Sequence, residues 1–442
     1  MSSTYTDGGP SSMKHIDDSI LLGPPCSSGS AGMAELLAKD TAEGRISFNR
    51  DDASESCFIR DATLWSKVSI GPATYYDELG LWLQRSAQAL IDVTFQRLWP
   101  ADQFTWMHPL LKPHMWRVRA FSTDGGVQIE DLSKLDFLSP SLKCLSLTWE
   151  GRGYEQERSP PDHLFQTHAP LHLEYLKLNT WSYTVQAVSV GKINLVNLHT
   201  LVLGDVVLVD SAFTMLQQCS NLRRLEWTLN NMSSNDYTER LERNQDSIRL
   251  PHLTTFICNG SVSQHILRIL EAPSLEHLNI GSSPFTMPIS KFITRHSTIK
   301  TLRLTPVKYL EGEEIRNILR NLPNLEEFVS SVWHTWGFEG LDILTLTEAL
   351  SDDGEVHFKH APKLALLGIG SDVFEDAGRQ GVELVDELIQ GLKAVIEQRR
   401  SGRKKFTIVL HDIPMLAPAL HGRYTDTIRW INDYSFWGQD KL

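Results

Sequence analysis

The chain has 442 residues, 41% hydrophobic and 22% charged, with a formal net charge of −12 at pH 7. That balance belongs to a folded chain with a sizeable core. The excess of carboxylates argues against nucleic acid or an anionic membrane as the main partner.

No apolar run is long enough to span a bilayer, and the stretch Met1–Pro10 is polar, unlike a secretory signal. Cys26, Cys57, Cys144, Cys219 and Cys258 are widely spaced with no Cys-x-x-Cys. They are expected to be reduced, mostly buried thiols in an intracellular protein of the cytoplasm, the nucleus or both.

Residues 1–57 stand apart. The stretch from Gly23 to Gly32 is rich in Gly, Pro and Ser, and apolar periodicity is confined to a short helix candidate at Met33–Lys39. Composition predicts disorder for the segment as a whole.

From Trp65 onward a pattern recurs, apolar-x-x-apolar-x-apolar. Its first matches are Trp65/Val68/Ile70, Leu90/Val93/Phe95 and Met115/Val118/Ala120. Then come Leu142/Leu145/Leu147, Leu173/Leu176/Leu178, Leu198/Leu201/Leu203 and Leu222/Leu225/Trp227. The series continues with Leu253/Phe256/Cys258, Leu275/Leu278/Ile280, Ile299/Leu302/Leu304, Leu325/Phe328/Ser330 and Leu364/Leu367/Ile369. Successive matches start 22 to 39 residues apart. Positions four and six of each match are two apart, so on a strand they share one face. The spacing predicts one short strand per unit, with position one at the bend that feeds it.

Helical periodicity lies between the strands. Ser211–Cys219 offers Phe213, Leu216 and Gln217; Ser263–Glu271 offers Ile266, Leu267 and Leu270; Glu311–Leu322 offers Ile315, Ile318 and Leu319. An insertion at 331–362 carries Trp333, Trp336 and Phe338, then a predicted helix through Leu341, Leu344 and Leu350. A long helix is expected over Val382–Arg400, with cations and Gly402 at its end. A strand at Phe406–Leu410 precedes a capping tail over 413–442 that contains Trp430, Tyr434, Phe436 and Trp437.

One unit could not fold alone. Three buried anchors contribute roughly 5–9 kcal/mol, while ordering about 27 residues costs roughly 1–2 kcal/mol each. Stacked units, burying both flanks, close that gap.

The repeat resembles the intracellular, F-box-associated leucine-rich repeats. Ala169-Pro170, Ala272-Pro273 and Ala361-Pro362 precede three strands, with Pro251 and Pro323 in the same place in two others. Glu174-Tyr175-Leu176 and Glu276-His277-Leu278 repeat a Glu-x-Leu cadence. With Ala62-Thr63-Leu64-Trp65 and Leu81-Trp82-Leu83-Gln84-Arg85-Ser86, the chain looks like the F-box/leucine-rich-repeat families of mushroom-forming fungi. The resemblance covers roughly 58–412. It implies an α/β solenoid, a curved parallel sheet with helices on its convex side and a degenerate F-box remnant at its start. It also implies a substrate receptor for a cullin-RING ubiquitin ligase, with a Skp-type adaptor and a protein substrate as partners. Residues 1–57 contain neither a Leu-Pro-x-Glu opening nor a Cys-x-x-Trp middle. An interaction scaffold with no ligase link is therefore the alternative, and an enzyme with an unrecognised site a remote one.

In each strand, positions three, five and seven should face outward. That assigns Tyr175, Lys177 and Asn179, then Arg224, Glu226 and Thr228, then His277 and Asn279, then Thr301, Arg303 and Thr305 to a concave binding face. Trp333 and Trp336 are further contact candidates, set against simple packing over the last repeats. His163, His168 and His172 lack the convergent ligands of a metal site. The basic run Arg399–Lys405 suggests a solvated helix end, or else a nuclear-import patch or a site for an acidic partner. Gly-x-x-x-x-Gly-Lys-Ser/Thr, Gly-x-Ser-x-Gly and His-Glu-x-x-His are all missing. No catalytic residue, metal or cofactor is expected.

Overall fold

Alternation of apolar and polar residues over four to six positions makes a half-buried strand, and each apolar pattern match forms one. The computed structural model describes residues 62–71, 74–96, 102–125, 140–149, 172–180, 195–204, 209–229, 247–260, 263–281, 289–305, 312–330, 349–352, 355–358, 361–369, 381–401, 406–411, 424 and 426–431. The expectations for 1–57, for Trp333, Trp336 and Phe338, and for Tyr434, Phe436 and Trp437 lie outside these residues.

A 3-10 turn, Ala62–Trp65, leads into β1 (Lys67–Ile70), helix α1 (Tyr76–Arg85) and β2 (Ile91–Phe95). Helix α2 (Asp102–Leu111) and a second 3-10 turn, Lys112–Arg117, precede β3 (Val118–Thr123). Strands β4 (Cys144–Trp149), β5 (Tyr175–Thr180) and β6 (Thr200–Leu203) follow, then α3 (Val209–Gln218) and β7 (Arg224–Leu229). Next are β8 (Ile248–Arg249), β9 (Thr255–Gly260), α4 (Ser263–Ile269), β10 (Leu270–Glu271) and β11 (His277–Gly281). Helix α5 (Ile289–Arg295), β12 (Thr301–Thr305), α6 (Gly312–Asn321) and β13 (Glu327–Ser330) continue the alternation. The chain then forms β14 (Ala349–Asp352), β15 (Glu355–Phe358), β16 (Leu366–Ile369), α7 (Gly381–Ser401), β17 (Thr407–His411) and β18 (Ile428–Ile431).

Fourteen of these strands form one open sheet in the order β1-β2-β3-β4-β5-β6-β7-β9-β11-β12-β13-β16-β17-β18. Every pairing in it is parallel. Parallel neighbours need a crossover of a dozen residues or more, which the spacing of the pattern supplies. Register is kept along the sheet. Val68, Val93, Phe121, Leu145, Leu176, Leu201 and Leu225 stand opposite one another. The row runs on through Phe256, Leu278, Leu302, Phe328, Leu367, Ile408 and Ile428. These side chains share a single apolar core with Phe213 and Leu216 of α3, Phe292 and Ile293 of α5, and Ile318 and Leu319 of α6. Helices therefore cover the face onto which positions four and six point.

The Ala-Pro cadence has a local cause. At seven strand approaches the N–H of position one donates to the carbonyl three residues earlier: Leu195, Cys219, Leu250, Ala272, His296, Leu322 and Ala361 accept. All seven acceptors are buried. Pro251, Pro273, Pro323 and Pro362 follow four of them, at the turn position where a fixed φ suits proline. Ala169-Pro170 lies outside the described residues. The glutamates of the Glu-x-Leu cadence sit one residue before β5 and β11 rather than within them. The carbonyls of Glu174 and Glu276 each accept two N–H groups from the next unit.

Several expectations are corrected. Ala120 is not an inward anchor. Ile91 pairs with Val118 and Asp92 with Ala120, so the register slips by one at Arg119 and Phe121 takes the inward place. A phenyl ring fills the core where a methyl would leave a void. Leu90 is 44% exposed, because the neighbouring Ile91 is the residue that turns inward. Gln217 is exposed on α3. Leu350 lies in an antiparallel hairpin of β14 with β15, not on a helix. Within the stretch expected to be a capping tail, β18 pairs with β17 and adds a fourteenth strand to the sheet. Arg399, expected in a solvated helix end, is buried and donates to the Ala361 carbonyl at 3.2 Å. Cys219 and Cys258 are buried as expected, but Cys144 is exposed. Among the described residues, no helix is long and apolar enough to cross a membrane.

Candidate protein-binding surface

The sheet has a second face, formed by positions three, five and seven. Parallel pairing brings Tyr175, Thr200, Arg224, Thr255, His277, Thr301 and Glu327 into one row. Lys177, Val202, Glu226, Ile257, Asn279, Arg303 and Val329 form the next. A third row begins with Asn179 on β5 and Thr228 on β7, where Asn259 donates to the Thr228 hydroxyl at 3.4 Å. Most side chains in these rows are half-buried, in contrast to the fully buried positions between them. Strands 22 to 31 residues apart in sequence thus present one continuous, mostly polar surface.

Both arginines on this face pair with carboxylates. Arg224 meets Glu226 at 3.4 Å along β7, and Arg303 Nε donates to Glu327 at 2.8 Å across β12 and β13. At the approaches to the strands, Lys143 pairs with Glu174 at 2.8 Å and Lys300 with Glu276 at 2.9 Å. The Lys143 hydrogen bond holds the Glu174 carboxyl below its usual range. Burial lowers the His277 pKa and raises that of Tyr175, so both are neutral near pH 7.

Between the two arginines, three strand spacings or about 14 Å apart, lies a less charged centre. Ile257 forms an apolar floor, only 7% exposed. Thr255, His277, Asn279, Thr301 and Arg303 ring a depression beside it of about 20 Å³. That is room for about one water and far below the volume of a small-molecule site. Such a notch suits one protruding group of a larger partner. Two atoms at it, His277 Nδ1 and Asn279 Oδ1, are buried without a hydrogen-bond partner. An unmet polar atom costs free energy, and a docking chain with donors of its own would recover it.

The structure brings together every expected residue from Tyr175 to Arg303. Trp333 and Trp336 lie outside the described residues, so they are not placed relative to this face. Thr255, Ile257 and Glu327 were missed. The signal for them was present, because the rule that assigns Lys177 to position five of β5 assigns Ile257 to position five of β9. Beyond Arg303 the row turns apolar and buried at Val329 and Val409, with Gly368 between them. His172 is exposed, while His163 and His168 lie outside the described residues. Among the described residues no group of three metal-binding side chains converges.

These features define the class, an α/β protein with one long, open, parallel sheet and a mixed polar outer face. No family model matches the chain, and no curated protein matches it significantly.

Proposed function

We propose that this chain is a leucine-rich-repeat solenoid that binds a protein partner on its concave outer face, as a substrate receptor of F-box type does. What supports the reading most is the centre between β7 and β13. There an apolar floor at Ile257 is rimmed by half-buried polar groups, two of them lacking hydrogen bonds. A desolvated centre with a charged rim is how protein interfaces are built. Leu64-Trp65 and the Ala-Pro cadence support the link to a cullin-RING ligase. A second reading is an interaction scaffold with no ligase link, which would use the same outer face.

The test has two arms. Proteins cross-linked to the chain in cells are identified with the unaltered protein and with Tyr175→Ala, Arg224→Ala, His277→Ala and Arg303→Ala combined. The combined variant is expected to lose the specific partner while unfolding at nearly the same temperature. A matched set on exposed helix positions, Gln217→Ala, Arg268→Ala, Lys291→Ala and Arg320→Ala, is expected to keep it. Equal retention by both variants would remove the outer face from consideration. Purified Skp-type adaptor is then mixed with the full chain. Co-elution supports the receptor role, and failure to bind leaves the scaffold.

A further inference from the structure

The notch on β9, β11 and β12 has a hydrogen-bond polarity that narrows what can enter it. Its walls include the outward side chains of Thr255, Ile257, His277, Asn279, Thr301 and Arg303. Two acceptors stand there with no donor among the described residues. One is Asn279 Oδ1, and the other is His277 Nδ1; both atoms are buried. The His277 ring is neutral near pH 7, because burial lowers its pKa. Its Nε2 faces the Glu276 carboxylate at 4.0 Å. That carboxylate keeps the single ring proton on Nε2 and leaves Nδ1 with a lone pair.

We infer that the notch receives a primary carboxamide, the side chain of a glutamine or asparagine carried by a partner polypeptide. The inference rests on the outer-face reading above and names the group that this face selects. Volume and chemistry agree on it. About 20 Å³ admits one small polar head and no ring. The amide NH2 brings two donors for two acceptors, and the hydroxyls of Thr255 and Thr301 can donate to its carbonyl. Ile257 offers apolar surface to the methylenes behind the head. Each rival group fails on one count. A carboxylate sets its lone pairs against both acceptors, and the Arg303 charge that would draw it is met by Glu327 at 2.8 Å. An ammonium or guanidinium lies against the Arg303 guanidinium, which lines the same notch. A hydroxyl brings one proton for two acceptors. An apolar head leaves both acceptors unmet and dry.

Peptide capture with the full chain tests it. Four immobilised pools of random nonapeptides differ only in their fixed central residue, which is Gln, Glu, Lys or Leu. The unaltered chain is expected to be retained about tenfold more strongly by the Gln pool than by any other. Asn279→Leu is expected to lose that preference while binding the Leu pool as before. The combined variant with Tyr175→Ala, Arg224→Ala, His277→Ala and Arg303→Ala sets the background. Equal retention by the Gln and Glu pools above that background overturns the inference and leaves the outer-face reading standing. So does strongest retention by the Glu, Lys or Leu pool, or a Gln preference that survives Asn279→Leu. Retention by every pool at the background level overturns both.

Discussion

His296 shows how one residue ties two units together. Its ring is buried, Nδ1 donates to the Phe292 carbonyl at 2.8 Å, and Nε2 accepts from the Ala272 N–H at 3.0 Å. That pair of bonds requires the neutral ring, since a protonated Nε2 would face the amide proton. Burial, first of the causes, lowers the His296 pKa below its ordinary value near 6.5. The unfolded chain therefore binds more protons, and the contribution is complete above about pH 6.5 and lost as pH falls toward the folded value. His277 and His114 shift the same way, also mainly through burial. Urea unfolding should show lower stability at about pH 5.5 than at about 7.5. His296→Leu should flatten that difference without abolishing it, and should cost about 1–3 kcal/mol at neutral pH through the orphaned Ala272 N–H. An unchanged pH dependence in the variant would refute the assignment. Cys219 occupies the same turn position in another unit, with its thiol donating to the Met215 carbonyl at 3.1 Å. Burial pushes its pKa up to about 12, which makes it a packing residue rather than a reactive one.

Among the elements, α1 carries an avoidable strain at its end. Leu79 and Leu83 bury one face, Asp77 and Glu78 lie in the first turn, and Arg85 in the last, which suits the helix dipole. The helix ends at Ser86, and Ala87 then adopts φ of 44°, where a Cβ is disfavoured. Ala87 is exposed, so no packing depends on its methyl. Ala87→Gly is expected to stabilise the protein by about 1 kcal/mol, seen as a raised urea midpoint. A lowered midpoint would mean that the φ is not what limits this turn. Arg117 closes the same helix from the next unit, donating to the Leu83 carbonyl at 2.8 Å. Arg295 does the same for α4, reaching the Leu267 carbonyl at 2.7 Å. Both cations sit at helix C-termini, where unpaired carbonyls and the dipole favour them.

At the scale of the molecule, each unit touches its neighbours, so stability is distributed rather than centred. A core truncation should then act according to its place in the array. Leu201→Ala, in the middle of the sheet, is expected to cost about 2–5 kcal/mol and to weaken protection in β5 and β7 on either side. Ile428→Ala should loosen β18 and β17 while leaving β5 to β12 protected. Hydrogen exchange resolved by segment distinguishes the two. Uniform loss from both substitutions would show a single cooperative core instead of an array.

The repeat was legible in the sequence because its signal is local. A strand of period two fed by a proline turn needs only six or seven residues, and all twelve pattern matches, with the strand at Phe406–Leu410, lie in the sheet. Missed elements had weak local signals. Strand β18 carries Ile428 and Ile431 without the leading anchor, and the slip at Arg119 depends on where β2 lies. The residues of the outer face could be named from alternation alone, but not which of them meet. Arg303 finding Glu327, or Ile257 lying between Glu226 and Asn279, depends on strands 22 to 31 residues apart standing in register. Sequence thus determined which side chains point inward, since that is fixed by backbone geometry within one strand. Tertiary structure alone decided which outward side chains become neighbours and which polar atoms are left unpaired, because those follow from lateral pairing between strands.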